Sequence, residues 1–291
     1  MGSSQTNAVP DILTDTLMTS PTNSLEKTTP MDKAPLLFIS HGSPMLALVE
    51  SPAHQFLKEL GASVPRPKAI VVVSAHWQAI NGPSVSLAQT PVTIYDFGGF
   101  PPALSQIVYR APGAPGVASD VATQLEHAGF AVRRHDTRGL DHGAWVPLSL
   151  MFPDADIPVF QVSLIHGAGP REHERLGRAL SGRREQGVMI IGSGSLTHNL
   201  YEFFGQPIES PAPGWVTEFA DWMFDHLGRN EREAVLDYRE RAPSAVRNHP
   251  TEEHLLPLFV AMGAASDASA PDRIHHSIEY GVLAMDVYAF S

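Results

Sequence analysis

Three runs of this chain, LLFIS at 36–40, IVVVSA at 70–75 and VMIIG at 188–192, consist almost wholly of large apolar and β-branched residues, with no polar position alternating among them. A strand of that composition has no face to give to water, so it belongs inside a sheet that helices cover on both sides. Longer amphipathic stretches separate the runs, as an α/β sheet requires. Strands are expected at 35–40, 69–75, 84–89, 131–135, 158–164 and 187–193, with a last pair near 273–279 and 282–289. Helices are expected at 51–61, 116–129, 143–152, 170–186, 215–228 and 252–265. No repeat and no linker divides this region. The expected fold is therefore a single α/β domain over residues 34–291, a central mixed or parallel sheet flanked by helices.

Residues 1–33 are rich in Ser, Thr and Pro and have neither a basic n-region nor an apolar h-region. They read as a disordered arm, with Met31 a conceivable alternative start, and not as a secretory signal. The longest apolar runs fall far short of a membrane span. A net charge of −11 with no basic stripe repels phosphate backbones, so nucleic acid is not an expected partner. A cytoplasmic enzyme, monomeric or a small homo-oligomer, is the expectation.

The chain has no cysteine, so any metal must be held by imidazole or carboxylate, and its 14 histidines become the residues to sort. In open α/β sheets, ligands gather beyond the carboxyl ends of the strands. His41, His76 and His198 all stand there, after LLFIS, IVVVSA and VMIIGSGSLT. A single histidine at a strand end is more often structural than functional; three strand ends sharing one crevice favour a site. In NHPTEEHLLPL, Thr251 is a candidate N-cap that would place His254 in the first turn of an apolar helix. His249 competes for its role, and Glu252 or Glu253 could offer a carboxylate oxygen instead. His142 follows Asp141, the candidate cap of the helix at 143–152, and reads as a substrate-facing or supporting group. The remaining histidines, His54 and His173 among them, read as solvated; of His275 and His276, adjacent on a strand, at most one can face a given pocket.

The segments TIYDFGGFPPAL (93–104) and YEFFGQPIESPAPG (201–214) are aromatic and rich in Gly or Pro, as pocket walls and self-pinned surface loops both are. Trp77, Phe97 and Phe100 suit ring packing but equally suit a core. No G-x-S-x-G elbow, P-loop or H-E-x-x-H is present, and GSGSLTH lacks the strand–G-x-G-x-x-G–helix arrangement of a dinucleotide site.

HGSP, SAHW, DFGGFP, DHGAW with PDADIPV, GSGSLTHNL and HPTEEHLLPL follow one another here in an order and spacing that resemble the class III extradiol ring-cleavage dioxygenases. Within that LigB-like superfamily the likeness is to the 4,5-DOPA dioxygenase branch, and it spans roughly residues 35–290. The resemblance implies a metal held by His41, His76 and His254, an acid/base role for His198, and His142 lining the pocket. Protocatechuate-type members carry a glutamate as third ligand, whereas this chain has His254. It also implies Fe(II) as the catalytic metal and a catechol and O2 as substrates, both oxygen atoms entering a muconate semialdehyde. Three imidazoles also suit Zn(II), so a zinc-dependent hydrolase and a non-catalytic metal-binding protein are the rival readings.

Overall fold

The apolar runs become the middle of the sheet. The computed structural model describes Met1 and residues 33–291; apart from its two end residues, the arm expected over 1–33 lies outside the described residues. The strands are β1 (Leu36–Ser40), β2 (Ala69–Ala79), β3 (Ser84–Ser86), β4 (Arg133–His135), β5 (Val159–Ile165), β6 (Val188–Gly194), β7 (Asp272–His275), β8 (Ile278–Glu279), β9 (Leu283–Ala284) and β10 (Val287–Phe290). The α-helices are α1 (Pro52–Ser63), α2 (Pro115–His127), α3 (His142–Met151), α4 (Pro170–Leu180), α5 (Leu200–Phe203), α6 (Gly214–Gly228), α7 (Arg232–Leu236), α8 (Tyr238–Arg241), α9 (Ala245–Asn248) and α10 (Leu256–Ala264).

Eight strands form one mixed sheet in the order β4-β3-β5-β2-β6-β1-β10-β7, and β8 pairs with β9 apart from it. The central strands β5, β2, β6 and β1 run parallel, with Val71 opposite Phe160 and Ile190, and Phe38 opposite Gly192. Successive residues of β1 and β2 go to opposite faces. Leu36, Phe38, Val71 and Val73 pack in the core with residues of α2, α4 and α10, while Leu37, Ile39, Ile70 and Val72 pack with α1 and α3. None of these eight is more than 2% exposed. Burying each such side chain contributes about 1.5–3 kcal/mol, which explains why the runs tolerate no polar alternation.

Several expected boundaries move. The strand expected at 69–75 continues to Ala79, with an irregularity against β5 between Ser74 and Gln78. The last pair is four short strands, because β7 and β8 are separate ladders. The helix expected at 170–186 stops at Leu180 and tightens into a 3₁₀ turn, Ser181–Gln186, that Gly187 ends at φ +85°. The helix expected at 252–265 begins at Leu256 with Pro257 in its first turn, and the Thr251 hydroxyl donates to Glu253 Oε1 at 2.9 Å instead of capping it. Among the described residues no helix is long and apolar enough to cross a membrane.

Candidate active site

Because β1, β2 and β6 are parallel, their carboxyl ends share one edge. His41 directly follows β1, its backbone N–H donating to the Gly194 carbonyl at 2.8 Å. His76 lies on the irregular end of β2. The turn carrying His254 reaches the end of β6 because residue 194 is glycine: a Cβ there would stand 2.0 Å from the His254 carbonyl oxygen, which accepts the Ser195 N–H at 2.8 Å. The fourth element is the start of α3, capped by Asp141, whose carboxylate accepts the Ala144 N–H at 3.3 Å. Gly143 lets this first turn lie against the imidazoles, since a Cβ there would be 3.1 Å from His41 Cε1 and 3.2 Å from His76 Cδ2.

Three imidazole nitrogens meet at this edge. His41 Nε2 is 3.0 Å from His76 Nε2, which is 3.3 Å from His254 Nε2. The opposite nitrogens decide which of these carry protons. The Ser193 hydroxyl gives its one hydrogen to the Gly143 carbonyl, so at 2.9 Å it must accept from His41 Nδ1–H. The Glu253 carboxylate accepts from His254 Nδ1–H at 3.0 Å, and Asp96 Oδ2 stands 3.6 Å from His76 Nδ1. His41 and His254 therefore turn bare lone pairs toward His76 Nε2. Two nitrogens about 2.1 Å from one ion, at angles of about 90–105°, are about 3.0–3.3 Å apart, so each of the two spacings, with the donor set, fits a pair of nitrogens sharing a divalent metal.

The other two expected site residues are near but differently arranged. The His198 ring stacks on His254 with centroids 3.4 Å apart and planes 8° from parallel, so the in-plane lone pairs of the two rings run side by side and do not converge. His142 lies 3.8 Å from His76 between ring centroids, and one ligand atom from each of His41, His76 and His142 falls within 4.8 Å of the others. A second such group joins His198, Glu253 and His254, and His76 Nε2 links the two groups. Asp96 Oδ1 accepts both the backbone N–H and the Nδ1–H of His142, at 3.0 and 2.9 Å.

Burial holds His41, His76, His198 and His254 neutral. It lowers His41 and His254 well below the ordinary imidazole range, helped by their histidine neighbours, and lowers His76 to about 4 and His198 to about 3. Burial would raise Asp96, but the hydrogen bond from His142 and the nearby imidazoles outweigh it and hold the carboxyl at about 2.

The histidine cluster opens into a cavity of about 210 Å³, into which His76, His142, His198, His254 and Asp96 all project. Both aromatic loops supply its walls, through Phe97 and Phe100 on one side and Phe203 and Phe204 on the other. Trp77 does not line it; its ring packs edge-on to His135 and under the Arg138 guanidinium. Of the competing donors, His249 is fully buried with Nε2 against the Leu196 carbonyl at 2.8 Å, and Glu252 accepts the Tyr238 hydroxyl. His54 and His173, expected in solvent, are buried and bonded to the carbonyls of Leu46 and Gly169. Asp96, Ser193 and the supporting role of Glu253 escaped the sequence reading; the D of DFGGFP was the one available signal for Asp96.

Residues 35–290 match the family model described as the catalytic LigB subunit of aromatic ring-opening dioxygenase. A 4,5-DOPA dioxygenase extradiol of Beta vulgaris is 42% identical over 258 residues, covering 87% of this chain and 95% of that protein. The protein of the same name from Escherichia coli K12 is 38% identical over 257 residues, covering 87% and 93%. Among solved structures, an uncharacterized protein from Escherichia coli K12 superposes with a TM-score of 0.75 at 32% identity, covering 89% of this chain and all of the other.

Proposed function

The chain belongs to the LigB family and is an extradiol ring-cleavage dioxygenase; on that premise we propose that it holds Fe(II) through His41, His76 and His254 and opens a catechol beside its diol to a muconate semialdehyde. The observation that carries this reading is the meeting of three Nε2 atoms at 3.0 and 3.3 Å, two of them with the opposite nitrogen tied to a supporting acceptor. Residues 34–291 are the catalytic domain of this reading. Bound there, Fe(II) would bring catechol and O2 together and lend the electrons that let them react, both oxygen atoms entering the product. The same nitrogens would also take Zn(II) in the isolated protein.

The protein side chains bind the ring and manage protons. An apolar cavity of about 150 Å³ accepts benzene, so the 210 Å³ here has room for a substituted ring. His198, neutral and lining the cavity, accepts a catechol hydroxyl proton on a ring nitrogen and returns it during ring opening. His142 keeps its Nδ1 proton on Asp96, which leaves Nε2 free toward the bound molecules. The aromatic walls exclude water from the reacting atoms.

Anaerobic loading with Fe(II), followed by an O2 electrode and a panel of catechols, tests the reading. It requires O2 uptake in equal moles with a yellow semialdehyde. Iron-loaded protein that leaves every catechol intact would refute it.

A further inference from the structure

We propose that Asp96 is the positioning residue of the metal ligand His76, and that it takes hold of that ring only when the metal arrives. The proposal rests on the reading above that His41, His76 and His254 hold the ion, and it adds how the third ligand is made ready. Its ground is where the protons sit. A neutral imidazole carries one N–H and one bare lone pair. His41 and His254 spend their N–H groups on Ser193 and Glu253, so their lone pairs face His76 Nε2 at 3.0 and 3.3 Å. A bare His76 Nε2 would set lone pair against lone pair, so in the metal-free chain His76 keeps its proton on Nε2 and donates it to His41.

His76 Nδ1 is then an acceptor, and it faces a second acceptor, Asp96 Oδ2. The two stand 3.6 Å apart, whereas the Nδ1–H of His142 lies 2.9 Å from Oδ1 of the same carboxylate. That is the difference between two facing acceptors and a hydrogen bond. A metal needs the Nε2 lone pair of every ligand. On binding, His76 gives its Nε2 proton to water and takes one up at Nδ1, so the ring stays neutral and releases no net proton. Asp96 Oδ2 is the acceptor waiting there, and closing the gap to about 2.9 Å takes a shift of about 0.7 Å. The carboxylate is already oriented for it, because Oδ1 also accepts the backbone N–H of His142, at the start of α3, at 3.0 Å. Asp141, whose charge also reaches His76, is spent on Arg138, Gln161 and the Ala144 N–H. One carboxylate thereby ties a metal ligand to His142 beside it in the cavity wall.

Asp96→Asn tests this with almost no change of shape. Its amide oxygen must face the two His142 donors, because the flipped amide would set N–H against N–H. The NH2 group then donates to His76 Nδ1 and holds the proton on Nε2, the tautomer a metal cannot use. D96N should fold, as thermal unfolding checks, and bind Zn(II) about 10–100-fold more weakly than the parent in chelator competition. Long-range proton–nitrogen correlation spectra of the histidine-labelled parent chain, with His76→Gln supplying the assignment, read the tautomer directly whether or not the variant folds. The His76 proton should sit on Nε2 without metal and on Nδ1 with Zn(II). A proton on Nδ1 in both states overturns the proposal, as does folded D96N with the parental affinity. Zn(II) that binds while the His76 signals stay unchanged overturns the ligand reading and the proposal with it, so the two failures are told apart.

Discussion

Replacing Gly143 with alanine puts one methyl group where the metal-holding rings leave no room. Its Cβ would stand 2.3 Å from Ser74 Oγ, 3.1 Å from His41 Cε1 and 3.2 Å from His76 Cδ2. The serine hydroxyl can turn away, giving up the 3.2 Å hydrogen bond it accepts from the His76 N–H, a loss of about 1 kcal/mol. Overpacking adds about 1–3 kcal/mol, and the better helix propensity of alanine returns up to about 1 kcal/mol. The metal-free variant should therefore lose about 1–3 kcal/mol of stability and still fold. Both imidazoles must also shift by a few tenths of an ångström, and disturbances of that kind around metal ligands cost about 10–100-fold in affinity. Chelator competition should show that loss, about 1.4–2.7 kcal/mol, on protein whose folded fraction is verified by thermal unfolding. Affinity within threefold of the parent would refute the claim that His41 and His76 share an ion across Gly143.

Further outcomes follow from the same geometry. His198→Gln should keep full metal content while kcat falls about 10²–10⁴-fold, measured by metal analysis beside O2 uptake; unchanged turnover removes His198 from proton transfer. Ser193→Ala strips His41 Nδ1 and the Gly143 carbonyl of a buried partner and should weaken metal binding about 10–100-fold by chelator titration, whereas an unchanged affinity would mean that Ser193 does not orient the ring. The metal-free chain should be acid-labile, since His76 and His198 titrate near 4 and 3 when folded but near 6.5 when unfolded. The unfolded chain then binds more protons below pH 6.5, so stability is full above that pH and falls as pH drops toward 4. Urea midpoints measured from pH 7.5 to 4.5 check this, and a flat profile would contradict it.

How much of this was legible in the sequence depended on the range of the contacts involved. His41, His76 and His198 could be read because an uninterrupted apolar run fixes where a buried strand ends, and parallel strands end together. The aromatic loops could be marked by composition. Asp96 could not be placed, because its bonds to His142 cross 46 residues and come from a segment without regular structure. Ser193 is the last residue of the strand expected at 187–193 and carries no sequence signal of its own; its role appears only when Gly143 and His41 are brought to either side of it. The start of α10 was misread because Thr251 resembles an N-cap, yet its hydroxyl is taken by Glu253. That turn also lets Glu253 reach the ring of the residue next to it, which Asp141 does not do for His142. His54 and His173 were misplaced because backbone groups satisfy them, the Leu46 carbonyl for His54 and the Gly169 carbonyl with the Ile165 N–H for His173, contacts that leave no trace in composition.

A crystal structure of the metal-loaded chain, with the ion located by its anomalous scattering, addresses the central claim most directly. The account predicts one peak bonded to Nε2 of His41, His76 and His254, with adjacent positions open toward the cavity and His198 stacked beside it without a bond. A peak held by His41, His76 and His142 while His254 stands off, or one closed by a fourth protein ligand, would contradict it.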